Sequence, residues 1–257
     1  MDDSHEFPMN DASSRHPRPL WLKHLTPTAV RAILKRDPRL IVPVGTTEQH
    51  GPHLPFGADT IIVERLADDL SAEFGVLRAP TLEYGVNTAT RTEYPGNATV
   101  RRKTLHRFMN DLVGTWEAGG VDQFIILTAH GHDPHQEALS TLRTRGASIR
   151  TVDIFTVPYR QEDETMPIHG GELDTSLLLY LNADLVTLEE AQDFLPSGRR
   201  LRGYRQAVGT IPAESPGSLG WPTRASVEKG RAFYQVIYER IAVRVFGRDP
   251  TVGSETG

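Results

Sequence analysis

Short apolar runs of strand length alternate along this chain with stretches of helical periodicity, and that alternation constrains the fold more than any other feature. Leu40–Val44, Val76–Ala79, Phe124–Thr128 and Val152–Val157 read as strands, bounded by Gly, Pro or polar residues. Between and after them, Thr60–Phe74, Lys103–Ala118, Pro134–Arg145, Thr175–Leu181, Leu188–Phe194 and Ser226–Phe246 read as helices. In the first of these, Ile62, Leu66, Leu70 and Phe74 recur at the spacing of one helix face, with Asp59 or Thr60 as the expected N-cap. Gly119-Gly120 supplies a stop signal after Ala118. Strand followed by helix, repeatedly, implies an α/β fold with a mostly parallel sheet covered on both faces. At 257 residues, one large domain is expected over 19–248, with a flexible arm at 1–18 and a flexible tail at 249–257.

In such sheets ligands bind beyond the C-terminal ends of the strands, so the residues that follow each strand matter most. The first run ends in Gly45 and releases Glu48, His50, His53 and Asp59 into a loop bearing Pro and Gly. Phe124–Thr128 is followed by His130-Gly131-His132-Asp133, and a third group is His169-Gly170-Gly171-Glu172-Leu173-Asp174. Tyr84–Asn87 and Tyr94–Asn97 are loop segments placed to wall a pocket. If the first and third strands are neighbours, Glu48, His50, Asp59 and His130 converge. Two cations held close together need a shared carboxylate, and the short side chain of Asp59 suits that role. Such a pair lowers the pKa of a water and polarises a scissile carbonyl.

With no cysteine in the chain, thiolate metal sites, Fe–S clusters, disulfides and cysteine catalysis are excluded. Any metal must be held by His, Asp and Glu, a donor set that suits Zn, Mn and Fe alike. Four histidines carry plainer expectations. His53, between Pro52 and Pro55, is expected to pack or hydrogen-bond; His106 to be structural; His135 to lie on the surface of a helix; and His24 to have no specific role. A net charge of -5 argues against a nucleic-acid partner. The N-terminal segment is polar and acidic, unlike a signal peptide, and no apolar run approaches the ~20 residues that span a bilayer. A cytoplasmic protein with no membrane partner is expected.

Taken together, these segments resemble the creatininase (creatinine amidohydrolase) family. GTTEQHGPHLPFGADT (45–60) is similar to the family's Glu-Gln-His-Gly-x-His-Leu-Pro signature. ILTAHGHD (126–133) stands at the Asn-Gly-His motif and HGGELDTSLLLYLNADLV (169–186) at the His-Gly-Gly helix segment. EYPGNATV (93–100) and GWPTRASVEKG (220–230) match weaker segments in the same order. The resemblance implies a three-layer α/β/α sandwich, homo-oligomers that are often hexamers, and two divalent metal ions, Zn, Mn or Fe. By that resemblance Glu48 holds one ion with His130, His50 holds the other, and Asp59 bridges. His132 stands where creatininase has a metal-binding Glu. His169 corresponds to the proton-handling histidine, with Glu172 as base, anchor or ligand and Asp174 beside it. Thr128-Ala129 replaces Asn-Gly, Asp174 replaces Glu, and Asn97 replaces Thr. The activity implied is hydrolysis of a C–N amide bond, in a cyclic amide, a formamide or similar, of a small polar substrate by a metal-bridging hydroxide. Peptide cleavage of the mycofactocin-maturation type and C–C bond hydrolysis are the alternatives, and a non-catalytic metal-binding relative is a third.

Overall fold

The structure is a computed structural model that describes residues 18–87, 94–156, 169–195 and 211–248. The expected arm, Arg18 apart, and the expected tail lie outside the described residues.

Five strands form one sheet: β1 (Leu20–Trp21), β2 (Arg39–Val44), β3 (Leu77–Arg78), β4 (Gln123–Thr128) and β5 (Ser148–Asp153). Their order is β1-β3-β2-β4-β5, and every pairing is parallel. Six α-helices accompany them among the described residues: α1 (Pro27–Arg36), α2 (Ala58–Phe74), α3 (Arg102–Ala118), α4 (Asp133–Ser140), α5 (Glu172–Asn182) and α6 (Val227–Phe246).

Successive strand side chains point to opposite faces, and the two central strands use both. Leu40, Val42, Val44, Phe124 and Ile126 pack with Leu105, Met109 and Val113 of α3 and with Ala138 and Leu139 of α4. Ile41, Ile125 and Leu127 pack with Ile62, Leu66 and Leu70 of α2, Leu177 and Leu178 of α5, and Ile237 and Ile241 of α6. Each of these large side chains contributes about 1.5–3 kcal/mol by leaving water. Double-sided burial explains why both strands are continuously apolar rather than alternating. The result is the expected α/β/α sandwich. Pro43 sits in a central strand without breaking its ladder. Its carbonyl accepts from Leu82 N on the β3 side, so its missing N–H removes no bond to β4.

The chain runs from β2 through α2 to β3 on one side of β2, then returns to place β4 on the other. Neighbouring strands whose connections leave in opposite directions open a crevice at their C-terminal ends. The register sets Val44 opposite Thr128, so the segments that begin at Gly45 and Ala129 leave the sheet side by side.

Several elements depart from the sequence-based expectation. Asp59 and Thr60 do not cap α2. Both lie inside its first turn after Gly57, and Thr60 Oγ1 donates to Thr46 O at 2.9 Å. The strand expected at Val152–Val157 starts at Ser148 and ends at Asp153, where Asp153 Oδ1 accepts from Phe155 N at 3.0 Å and a 3-10 turn follows. Ser148 and Arg150 are exposed on this edge strand, which masked its apolar pattern. Helix α4 stops at Ser140 instead of Arg145, and past its end the Glu117 carboxylate gathers the N–H groups of Arg145, Gly146 and Ala147 at 2.7–2.9 Å. Leu188–Phe194 forms only a 3-10 turn at Leu188–Glu190, after which Phe194 pairs with Gly220. β1 and α1 are not foreseen by the apolar pattern, although Thr26 caps α1 by accepting from Ala29 N at 3.3 Å and Pro27 opens it. No helix among the described residues is long and apolar enough to cross a membrane.

Candidate metal centre

The crevice between β2 and β4 collects Glu48, His50, Asp59, His130 and His169, all buried. Glu48 and His50 come from the loop after β2, Asp59 from the first turn of α2, and His130 from the loop after β4. The positive N-terminal end of α2 favours an anionic Asp59. Asp59 Oδ1 lies 3.2 Å from His50 Nε2, and Asp59 Oδ2 lies 3.0 Å from His130 Nδ1. Glu48 Oε2 is 3.3 Å from the same His130 nitrogen. Thr46 Oγ1 donates to Asp59 Oδ2 at 2.7 Å and fixes the carboxylate plane.

Two sets of potential ligand atoms each lie within 4.8 Å of one another: Glu48, Asp59 and His130, and Glu48, His50 and His169. Both imidazoles that face Asp59 are held from behind. His50 Nδ1 donates to Glu48 O at 3.0 Å, and His130 Nε2 donates to Val86 O at 3.1 Å. Each therefore turns its other nitrogen toward the carboxylates. A backbone partner on the far nitrogen is the usual support of a metal-binding histidine. Two buried carboxylates and two imidazoles so oriented fit divalent cations of the Zn, Mn or Fe kind.

The charge balance agrees. Burial alone would lower the pKa of His50, but the facing Asp59 overrides it and raises the group to about 10. Burial is likewise outweighed at His130, where Glu48 and Asp59 raise the value to about 9. In return, and against the effect of burial, these imidazoles hold Asp59 well below the carboxylate range and lower Glu48 too. The two carboxylates thus call for two positive charges, which protons on the histidines or bound cations both satisfy.

His169 stacks on His50 with ring centroids 4.6 Å apart. Gln49 Nε2 donates to Gly217 O at 2.9 Å and lies 3.1 Å from His169 Nε2, while Gln49 Oε1 accepts from Gly51 N at 2.9 Å. The two backbone partners fix the amide orientation, so His169 Nε2 is an acceptor and the ring carries its proton on Nδ1. Burial, with the neighbouring His50, lowers the His169 pKa to about 4. Gly170 has φ +62°, and a Cβ there would lie 2.1 Å from His50 O, so glycine is what lets the His169 loop approach the His50 backbone. Asp174 is buried, accepts from Gly170 N at 2.7 Å through Oδ2, and is raised to about 6 by burial. Its Oδ1 is buried with no hydrogen-bond partner among the described residues.

Glu172 and His132, like Asp174, lie outside both ligand sets. Glu172 opens α5 and forms an ion pair with Lys229 on α6. His132 is half-buried, with its ring 5.8 Å from that of His130, and its Nδ1 donates to Val86 O at 2.7 Å. His53 is buried and bonds Thr175 Oγ1 at 2.8 Å, the structural role expected of it. His135 is not a surface residue. It is completely buried between Val86 and Thr128, partners distant in sequence that helical spacing could not reveal. Gln49, Thr46 and the Val86 backbone were also missed, although Gln49 stands inside the Glu-Gln-His signature. The expected wall segments do border the site: Asn97 Oδ1 accepts from Gln49 N at 2.6 Å, and Asn87 Nδ2 donates to Thr47 O at 3.0 Å.

Comparison with known proteins agrees with this geometry. The family model for creatininase, creatinine amidohydrolase, matches residues 23–245. The 3-dehydro-scyllo-inosose hydrolase of Thermotoga maritima is 27% identical over 76% of this chain and 67% of its own length. The mycofactocin precursor peptide peptidase of Mycolicibacterium smegmatis is 27% identical over 92% of this chain and 95% of its own. The creatinine amidohydrolase of Pseudomonas putida is 24% identical over 79% and 86%. A crystal structure of creatinine amidohydrolase superposes with a TM-score of 0.70 at 23% identity, covering 87% of this chain and 95% of that one. A manganese creatininase superposes at 0.69, with 22% identity over 88% and 98%. A Zn–Zn form of a creatininase mutant superposes at 0.70, with 22% identity over 88% and 97%. With the strand order, the buried carboxylate–imidazole cluster and a family match across nearly all the described residues, the chain belongs to the creatininase family.

Proposed function

We propose that this protein is a two-metal hydrolase that cleaves a C–N amide bond in a small polar substrate. The observation that carries the proposal is Asp59, whose two oxygens face His50 and His130 at 3.2 and 3.0 Å, the disposition of a bridging carboxylate. Glu48, Asp59 and His130 would hold the first ion. His50 and Asp59 would hold the second, with Glu48 and His169 within reach of the same position; His132, which the family resemblance offers as a further ligand, bonds Val86 O through Nδ1 and lies outside both sets. Zinc and manganese forms of creatininase support either metal here. Bound in this way, such ions supply a nucleophilic water at neutral pH and polarise the scissile carbonyl.

The remaining groups handle protons and orientation. His169 is the proton-handling group of the proposal: it is kept neutral, and its Nε2, occupied by Gln49, would take up the proton bound for the leaving nitrogen once the Gln49 amide gives way. Asp174 tethers the Gly170 backbone and so holds His169 against His50. Glu172 anchors α5 to α6 through Lys229. Homo-oligomers of a cytoplasmic enzyme complete the proposal, in keeping with the family resemblance.

A second reading has its own support. The mycofactocin peptidase aligns over a larger share of both chains than the creatinine amidohydrolase does, so a peptide substrate is the named rival. The test is to strip the protein with a chelator, restore Mn or Zn, and assay cyclic amides, formamides and short peptides side by side. Metal-restored turnover of the small amides is expected. Turnover of peptides alone would transfer the site to the second reading, and turnover unaffected by chelation would end the metal proposal.

A further inference from the structure

His135 bonds at both ring nitrogens, so it is not available as a ligand, yet both of its partners also bond His130. His135 Nδ1 lies 3.2 Å from Val86 N. A backbone amide only donates, so Nδ1 is the bare nitrogen and Nε2 carries the proton. That proton goes to Thr128 Oγ1 at 3.1 Å. Thr128 Oγ1 also accepts from His130 N at 3.3 Å, which ties down the ligand's backbone. Val86 O accepts from His130 Nε2, which sets the ligand's ring and tautomer. The loop thus grips His130 at main chain and side chain, and His135 joins the two grips. Its ring stands edge-on to His130, with centroids 5.0 Å apart and an interplanar angle of 87°.

The close fit extends to Gly85. A Cβ there would lie 2.7 Å from His135 Nδ1 and 2.6 Å from Thr46 Cγ2, so a side chain would push Val86 away from the imidazole that it bonds. Val86 lies outside any strand or helix. Its placement depends on contacts such as these and on the adjoining bond from Val100 N to Gly85 O at 2.9 Å.

We propose that His135 is a positioning residue that, through Val86 N–H and Thr128 Oγ1, sets the orientation of His130 toward Glu48 and Asp59 and so fixes the affinity of the first ion. The proposal rests on the two-metal reading above. It also gives a defined role to Thr128, a departure from the family's usual Asn, because its hydroxyl receives both the His135 ring and the His130 backbone.

The experiment measures stepwise binding of Mn to chelator-stripped full-length protein by titration calorimetry, with unfolding of the stripped protein followed in parallel. The variants are Thr128→Val, Thr128→Ser, His135→Leu and the Thr128→Val/His135→Leu pair. Outer partners of metal-binding histidines typically govern affinity on the order of 10- to 100-fold. Thr128→Val and His135→Leu should each weaken the first ion by that factor and leave the second ion, held by His50, within a few-fold of wild type. Thr128→Ser, which keeps the hydroxyl, should restore the first affinity. The paired variant should lose less than the two single losses combined, because both act through one bond. Wild-type affinity for the first ion in both single variants overturns the proposal. So does an equal loss at both ions that tracks loss of stability, which is the mark of generic packing. If His135→Leu fails to fold, Thr128→Val and Thr128→Ser decide the matter. Failure of the two-metal reading is seen separately, as absence of binding by the wild-type protein before any variant is compared.

Discussion

Replacing Gly170 with Ala tests how tightly the His169 loop is built against the His50 segment. Two penalties combine there. The backbone is left-handed, with φ +62°, which costs an L-residue about 1–2 kcal/mol. The new Cβ would also meet His50 O at 2.1 Å and His50 C at 2.7 Å, and both are backbone atoms that cannot rotate away. Restoring a tolerable contact means opening the two segments by about 1 Å, and such overpacking costs about 1–3 kcal/mol. The expected destabilisation is therefore roughly 2–5 kcal/mol in denaturant unfolding. Gly114→Ala is the internal control. Gly114 lies in α3, and a methyl group added there would meet nothing within 4 Å, so Ala should stabilise by up to about 1 kcal/mol through helix propensity. Because the displaced backbone carries His50, Gly170→Ala should also weaken metal uptake, whereas Gly114→Ala should leave it unchanged. A Gly170→Ala protein with wild-type stability and metal uptake would refute the argument that this contact organises the site.

Other outcomes follow from single bonds. Ser226→Ala removes the side-chain acceptor from Lys229 N at the start of α6 and should cost about 1 kcal/mol, read by denaturant unfolding. Gln49→Leu leaves Gly51 N–H and Gly217 C=O without their buried partner and should cost roughly 2–6 kcal/mol by the same assay, at about 1–3 kcal/mol for each group. His53 is held to a pKa of about 4 by burial and by the nearby His50. Its folded pKa lies below its unfolded value near 6.5, so the unfolded chain binds the extra proton between those limits. Stability should fall as pH drops from 6.5 toward 4, and His53→Asn should flatten that part of the profile; an unchanged slope would contradict the assignment.

The two central strands and their site were legible because β2 and β4 bury both faces, which wrote continuous apolar runs into the sequence just before Glu48, His50 and His130. Where the sequence misled, a distant group had intervened. Past the end of α4, Asn110 draws off the N–H of Arg143 and the Glu117 carboxylate those of Arg145, Gly146 and Ala147, and Phe194 leaves helical geometry to pair with Gly220. The edge strand β5 carries exposed Ser148 and Arg150 in its first half, so the apolar pattern placed its start only at Val152. His135 looked like helix surface because its partners, Val86 and Thr128, reach it only through the sheet topology. Glu172, expected from the resemblance as base, anchor or ligand, turns its side chain to Lys229 on α6, a partner distant in sequence.

The central claim is that Asp59 joins two cations, one shared with Glu48 and His130 and one with His50. Anomalous scattering from crystals soaked in Mn measures it most directly. The account predicts two manganese peaks in the crevice between β2 and β4, each contacted by a different Asp59 oxygen, with both lost or displaced in crystals of Asp59→Ala. A single peak that Asp59 does not touch, or two peaks that persist unchanged in Asp59→Ala, would contradict it.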